Sequence, residues 1–119
     1  MEENRFEYLR IDGKKDLPNP WHAYPVLCDY ETVAIYQQGR EYLHALIGVQ
    51  DGYWVAGLKM NCGSEGGGFN PGRKWGQFAS RDNAMLWVLG YMLVRDCVQG
   101  PARQAVLTKI NDIRQLKLF

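Results

Sequence analysis

Three consecutive residues, Arg73, Lys74 and Trp75, combine two cations with an indole ring, and Arg81 follows shortly after them. Arg and Lys bind phosphate oxygens, while an exposed Trp offers a flat surface on which an unpaired base can stack. This pattern is typical of a site for single-stranded nucleic acid. The alternative is that the charged side chains are solvated flanks of helices and that Trp75 belongs to the core. The net charge of +1 favours that alternative, because it gives no general attraction to a polyanion.

The segment directly before this cluster, residues 61–74, contains five glycines in fourteen residues and the turn-forming sequence Asn-Pro-Gly. Part of it is similar to the phosphate-binding loop G-x-x-x-x-G-K-[ST], but the Lys is displaced by one place and no Ser or Thr follows to hold Mg²⁺. We therefore do not expect nucleotide hydrolysis. Long loops in small domains often contact ligands, so Gly67, Gly68 and Phe69 are candidates for that role. The alternative is a flexible loop whose glycines only permit positive φ angles.

Two histidines and two cysteines, namely His22, His44, Cys28 and Cys62, are residue types found in zinc sites, but their spacing matches no known ligand arrangement. Cys62 as a nucleophile with His44 as its base is allowed by residue type alone. The more ordinary interpretation is a set of small, half-buried cysteines and a surface histidine. No pair of carboxylates has a spacing suited to acid–base catalysis. We therefore predict no catalytic residue, no metal site and no cofactor.

Aromatic residues are frequent in the first half of the chain, and several of them must lie on the sheet face that points away from the core. Such a face can bind a partner protein, because Tyr and Trp bury a large area and keep a polar group available. The alternative is cross-strand aromatic pairing that only stabilises the sheet. The predicted partner surface consists of Tyr36, Tyr42, Tyr53 and Trp54.

The composition fits one hydrophobic core, because the chain has 119 residues of which 46% are apolar, and we predict a single domain over residues 1–119. Charge is uneven: residues 1–58 hold five basic and nine acidic side chains, and residues 59–119 hold nine basic and four acidic. A polyanion would prefer the second half. The three cysteines leave one thiol unpaired, the N-terminus has no apolar signal-peptide core, and the longest apolar run has eleven residues. These features predict a cytoplasmic protein without a membrane-spanning segment.

The elements that must position these residues begin with an antiparallel sheet. β-Branched and aromatic residues in alternating patterns predict strands over residues 24–28, 31–37, 40–50, 53–61 and 75–79. Leu43, Ala45, Ile47 and Val49 alternate with other residues and are expected to face the core. Asp51-Gly52 predicts a type I′ hairpin turn between two of these strands.

The remaining segments of the first two-thirds have no such pattern. Residues 61–74 are expected to form a loop throughout. Residues 1–20 are expected to form either an arm or a short edge strand through Phe6, Tyr8 and Ile11.

Two helices are predicted after the sheet. The first, at about 81–98, begins after Ser80 as N-cap and is apolar nearly all round, so it must be buried. Gly100-Pro101 separates it from a second helix, whose apolar stripe runs from residue 102 to residue 116. The predicted fold is α+β, with three to five antiparallel strands followed by two helices, the first buried against the sheet.

A helix without a polar sector needs more cover than one small sheet supplies. We expect the second helix to cover Trp87, Tyr91 and Val94 if the chain is monomeric. A homodimer is the alternative.

The segment from Tyr53-Trp54 through the glycines to Phe78-Ala79-Ser80-Arg81-Asp82-Asn83-Ala84 resembles small uncharacterised α+β domains of phage, plasmid and other mobile-element proteins. The resemblance covers residues 53–95 and implies a mobile-element context without a role for any residue. Our leading hypothesis is therefore a non-enzymatic binding protein that contacts a macromolecule. That macromolecule is either nucleic acid or a host protein that the chain inhibits or adapts. The alternative is a small ligand sensor or enzyme that uses the loop 61–74.

Overall fold

The architecture is a single antiparallel sheet followed by two helices, seen in a computed structural model that describes residues 9, 11, 13–16 and 25–116. The strands are β1 Lys14–Lys15, β2 Glu31–Gln38, β3 Glu41–Gln50, β4 Tyr53–Asn61, β5 Gly66–Phe69 and β6 Gln77–Phe78; the helices are α1 Arg81–Leu93 and α2 Gly100–Leu116. The strands run in the order β1-β6-β4-β3-β2, and β5 pairs with β4 beside this path. The predicted α+β class is confirmed, but the sheet has six strands among these residues rather than three to five.

The β3–β4 hairpin forms as the sequence predicts. Asp51 and Gly52 have φ angles of 53° and 85°, the positive values that a type I′ turn requires. The register pairs Ile47 with Ala56, and both side chains are buried on the face that packs against α1, here called the helix face. Val49 departs from the prediction, because it is 51% exposed near the end of β3.

The edge of β4 that does not pair with β3 pairs with two short strands. β5 pairs with its end, from Leu58↔Phe69 to Asn61↔Gly66, whereas β6 pairs with its beginning at Trp54↔Phe78. The prediction of a loop throughout residues 61–74 is therefore wrong for Gly66–Phe69. A strand made mostly of glycine has no side-chain alternation, which is why the pattern does not reveal it.

The chain crosses β4 between these two strands, and Gly57 makes the crossing possible. A Cβ atom on Gly57 would lie 2.3 Å from the Phe69 carbonyl oxygen and 2.7 Å from the Pro71 nitrogen. Both neighbours are backbone atoms, which cannot rotate away. The absence of a side chain at Gly57 thus lets the segment after β5 pass over the middle of the sheet.

A second segment, Pro25–Tyr30, covers the other face of the sheet, here called the outer face. The predicted strand at 24–28 is wrong for residues 25–28, which are irregular, and residue 24 lies outside the described residues. The Leu27 N–H donates to the Pro71 carbonyl at 2.8 Å, and the Asn70 amide donates to the Leu27 carbonyl at 3.0 Å. The two crossing segments thus bond to each other over the outer face, where Leu46 is buried.

The edge strand at the start of the chain differs from the expected one. Phe6 and Tyr8 lie outside the described residues, and Ile11 precedes the strand. The observed edge strand is β1, in which Lys14 pairs with Phe78 and Lys15 pairs with Gln77 of β6.

Helix α1 begins where the sequence predicts, since the Ser80 hydroxyl accepts a hydrogen bond from the Asn83 N–H at 3.1 Å. It ends at Leu93 rather than at residue 98. Arg95 and Val98 instead donate to carbonyls three residues before them, which tightens the chain into turns. These turns reverse the chain direction while keeping Val98 fully buried.

Helix α1 is covered by α2 on one side and by the sheet on the other. Val106, Ile110 and Ile113 of α2 belong to the same buried core as α1, as the apolar stripe predicts. Trp87 is 8% exposed and contacts sheet residues, with its ring 5.7 Å from Phe78 and the Lys14 ammonium 5.7 Å from its ring centre. The sheet therefore contributes to the cover of Trp87, for which the sequence analysis names the second helix. Tyr91 and Val94 remain half-exposed.

Adding one methyl group at the crossing point should disrupt this fold. We expect Gly57→Ala to lower the free energy of unfolding by about 1–3 kcal/mol, because two backbones must separate to admit it. Gly66→Ala is the matched control, since its Cβ would lie at an ordinary 3.5 Å from the Met60 carbonyl oxygen. Urea unfolding of both variants measures the difference. Equal stability of the two variants would contradict the role given to Gly57.

Candidate functional site

Arg73, the first residue of the predicted basic cluster, is held by contacts within the chain. Its N–H donates to the Gln50 side-chain oxygen at 2.7 Å, and its Nε donates to the Gln77 side-chain oxygen at 3.0 Å. One guanidinium nitrogen lies 3.0 Å from the Asp51 carboxylate, and the guanidinium carbon lies 5.0 Å from the centre of the Tyr53 ring. The Arg73 side chain is 17% exposed. These contacts make it an anchor between the crossing segment and the β3–β4 turn.

Gln50 is central to this anchor, because it is buried and uses both ends of its amide. Its oxygen accepts from the Arg73 N–H, and its nitrogen donates to the Pro25 carbonyl at 2.7 Å. One side chain thereby fixes both segments that cross the outer face. Amide groups buried in this way are stable only while their partners are present.

Trp75 and Lys74 follow on a short 3₁₀ turn over Arg73–Trp75. The Trp75 indole N–H donates to the Asn70 carbonyl at 2.9 Å, and its ring lies 4.8 Å from the Phe69 ring. Trp75 is half-buried against the core, and the Lys74 ammonium lies 5.8 Å from its ring centre. The indole ring is therefore not an exposed surface on which a base can stack.

Arg81 is also engaged by a carboxylate. Its guanidinium donates two hydrogen bonds to Glu31 of β2, at 3.1 and 2.7 Å. This bidentate contact raises the pKa of Arg81. The structure thus places Arg73 against the β3–β4 turn and Arg81 against the start of β2, and each guanidinium faces an acid of its own chain.

Gly67, Gly68 and Phe69 lie on β5 rather than in a loop. Phe69 joins an aromatic cluster, with its ring 6.1 Å from Trp87 and 5.5 Å from Tyr91. A cavity of about 180 Å³ opens beside β5 on the Tyr91 side, and one of about 270 Å³ opens beside Tyr42. If the chain is a ligand sensor, these two cavities are where its ligand would bind.

The four predicted partner-surface aromatics lie on two different faces. Tyr42 is on the outer face, where its ring lies 4.7 Å from that of His44, and Tyr53 lies beneath the Arg73 guanidinium. Tyr36 and Trp54 instead pack against the core on the helix face. A bulge in β2 between Ala34 and Tyr36 shifts the alternation and places Tyr36 opposite Leu43. The four side chains therefore do not form one surface.

A groove between β2 and α2 is the feature that sequence reasoning missed. Its volume is about 550 Å³, and its walls include Ile35 and Tyr36 of β2 with Pro101 and Ala105 of α2. Two of its lining residues, Ala34 of β2 and Ala105 of α2, have small side chains. Such a pairing shows in a sequence only after the two elements are known to be neighbours.

The residues considered for zinc or thiol chemistry are dispersed. The His44 ring nitrogen lies 3.4 Å from the Gln37 side-chain oxygen, whereas Cys62 lines a cavity together with Cys97. Burial, followed by the influence of the neighbouring Cys97 thiol, raises the pKa of Cys62 to about 12, so this thiol stays protonated near neutral pH. Cys28 is exposed. Within the described residues no three His, Cys, Asp or Glu side chains come together to hold a metal ion, and His22 lies outside them.

Breaking the amide bridge tests its structural role. We expect Gln50→Leu to lower the free energy of unfolding by about 1–3 kcal/mol, because the Arg73 N–H and the Pro25 carbonyl lose their partner. Gln38→Leu, at an exposed position of β2, is the control and should change stability by less than about 0.5 kcal/mol. Urea unfolding measures both. A Gln50→Leu protein as stable as the control would show that the bridge is dispensable.

Within the described residues, neither helix has the length and apolar character needed to cross a bilayer. Comparisons with protein-family models, curated proteins and solved structures found no match.

Proposed function

We propose that this chain is a non-enzymatic binding protein of phage or mobile-element type, and that it binds an extended segment of a partner protein along β2. The observation that carries the proposal is that β2, among the described residues, has a strand neighbour on one side only, namely β3. The groove of about 550 Å³ lies beside this strand.

The backbone of β2 supplies the first part of the recognition. An edge strand presents N–H and C=O groups that an incoming extended peptide can pair with, which adds a strand to the sheet. The bulge between Ala34 and Tyr36 divides Glu31–Gln38, so a straight peptide can pair with about four of these residues, over roughly 13 Å. This part of the interaction does not depend on the sequence of the partner.

The groove supplies the second part, which is selective. Side chains of an added strand point alternately to the two faces of the sheet, so every second one would enter the groove on the helix face. There they meet Ile35, Tyr36, Pro101 and Ala105, which favour apolar side chains of small or medium size. Lys109 and Asp112 add one charge of each sign to the wall. We therefore infer a partner segment with apolar residues at alternate positions.

The nucleic-acid form of the binding hypothesis has less support. Its main cations, Arg73 and Arg81, each contact a carboxylate of the same chain. A phosphate would have to displace these carboxylates, and the net charge of +1 does not assist it. The ligand-sensor alternative rests on the cavities beside β5, which are smaller than the groove.

A library of random peptides displayed on phage tests the proposal without knowledge of the natural partner. We expect enriched peptides to carry apolar residues at alternate positions and to shift backbone amide signals of β2 and α2 in NMR spectra. Ala105→Arg should weaken binding of a selected synthetic peptide by tenfold or more, because the longer side chain fills the groove. Asn111→Arg, at an exposed position of α2 outside the groove, is the matched control.

Three results would overturn the proposal. The first is no enrichment over a surface without the protein, and the second is equal affinity of the two Arg variants. The third is a micromolar complex with a single-stranded oligonucleotide that the Arg73→Ala/Lys74→Ala double variant abolishes. Light scattering on a size-exclusion column adds a check, since a stable dimer that closes the β2 edge would assign this edge to a second copy instead.

A further inference from the structure

Two thiols from distant parts of the chain lie together beside the core. Cys62 directly follows the last residue of β4, and Cys97 lies in the connection between α1 and α2, 35 positions later. Both are partly buried and pack against the hydrophobic core. They line the same cavity of about 120 Å³, together with Tyr36 and Glu41. The fold therefore brings the two sulfur atoms to one cavity.

The two turns that carry these thiols are also tied to each other. Glu65, three positions after Cys62, forms an ion pair of 2.7 Å with Arg95, two positions before Cys97. The Cys62 N–H donates to the Glu65 carbonyl at 2.8 Å, which closes the β4–β5 turn tightly. These contacts limit how far the two sulfur atoms can separate.

We propose that Cys62 and Cys97 form a reversible modification site, in which a peroxide or a small disulfide oxidises the two thiols to an intramolecular disulfide. The thiols are free in the structure and line one cavity, which is the placement that the reduced form of such a site requires. The inference does not depend on the peptide groove. It uses only the thiols of this chain and an oxidant of the stated class.

The reaction with hydrogen peroxide balances in two steps. The Cys97 thiolate attacks one peroxide oxygen, which breaks the O–O bond and gives a sulfenic acid and water. The Cys62 sulfur then attacks the Cys97 sulfur; the S–S bond forms, the S–O bond breaks, and the hydroxide leaves as water with the Cys62 proton. Overall, two thiols lose two protons and two electrons, and one peroxide becomes two waters.

The order of the two steps follows from the environment of Cys62. Burial and the neighbouring Cys97 raise the pKa of Cys62, so it keeps its proton and is a poor first nucleophile. Cys97 is therefore the thiol that meets the oxidant, and Cys62 is the one that resolves the sulfenic acid. The disulfide would connect the β4–β5 turn covalently to the connection between the helices and restrict the unfolded chain.

Peroxide treatment of the reduced protein, followed by alkylation of free thiols and mass spectrometry, tests the site. After unfolding and alkylation, we expect the peroxide-treated protein to carry one alkyl group, on Cys28, where the untreated protein carries three, and non-reducing peptide maps to show Cys62 joined to Cys97. Dithiothreitol should reverse the change. The midpoint temperature of unfolding should rise by several degrees in the oxidised form.

Variants identify the thiols involved. Cys62→Ser and Cys97→Ser should each abolish the intramolecular bond, whereas Cys28→Ser, at the exposed third cysteine, should leave it intact. The proposal is overturned if the peptide maps show Cys28 in the bond, only bonds between molecules, or Cys97 oxidised to sulfinic acid beside a free Cys62. Because the maps are made on the unmodified sequence, instability of a variant does not affect this outcome.

Discussion

The close contact of two backbones at Gly57 is the constraint on which the rest of the structure depends. Only with no side chain at this position can the chain leave β5, cross the outer face of β4 and return as β6. The crossing brings Pro71 to Leu27 and the Arg73 N–H to Gln50. This path accounts for the cover of the outer face and the burial of Leu46. It also places Ser80 at the start of α1.

The same path explains why Arg73 and Trp75 of the basic cluster are bonded to the rest of the chain. Residues that are adjacent in sequence look like one binding surface, but a crossing segment of this kind must be attached along its length. The Arg73 guanidinium, the Gln50 amide and the Trp75 indole N–H supply the hydrogen bonds of that attachment. Burial strengthens each of these hydrogen bonds. The groups that form them are then not available to bind an external phosphate.

Sequence reasoning succeeds in this chain where one local pattern decides the structure. The Asp51-Gly52 turn, the alternation of β3, the Ser80 cap and the apolar stripe of α2 all have this property. It fails where a distant contact decides. The glycine strand β5 depends on β4, the irregular course of Pro25–Tyr30 depends on Pro71, and the early end of α1 depends on the burial of Val98. The groove and the Cys62–Cys97 pair belong to the second kind, because each needs two elements far apart in the chain.

The bulge in β2 limits what can be added to the edge of this sheet. Between Ala34 and Tyr36 the pairing with β3 slips by one residue, so the pleat before the bulge is out of phase with the pleat after it. A straight strand laid along β2 can follow the hydrogen-bond pattern of one half only. Endless stacking of one molecule on the next, as in amyloid, requires an uninterrupted ladder and is disfavoured here. The bulge beside the groove thus also disfavours polymerisation along the side of β2 on which the described residues place no strand.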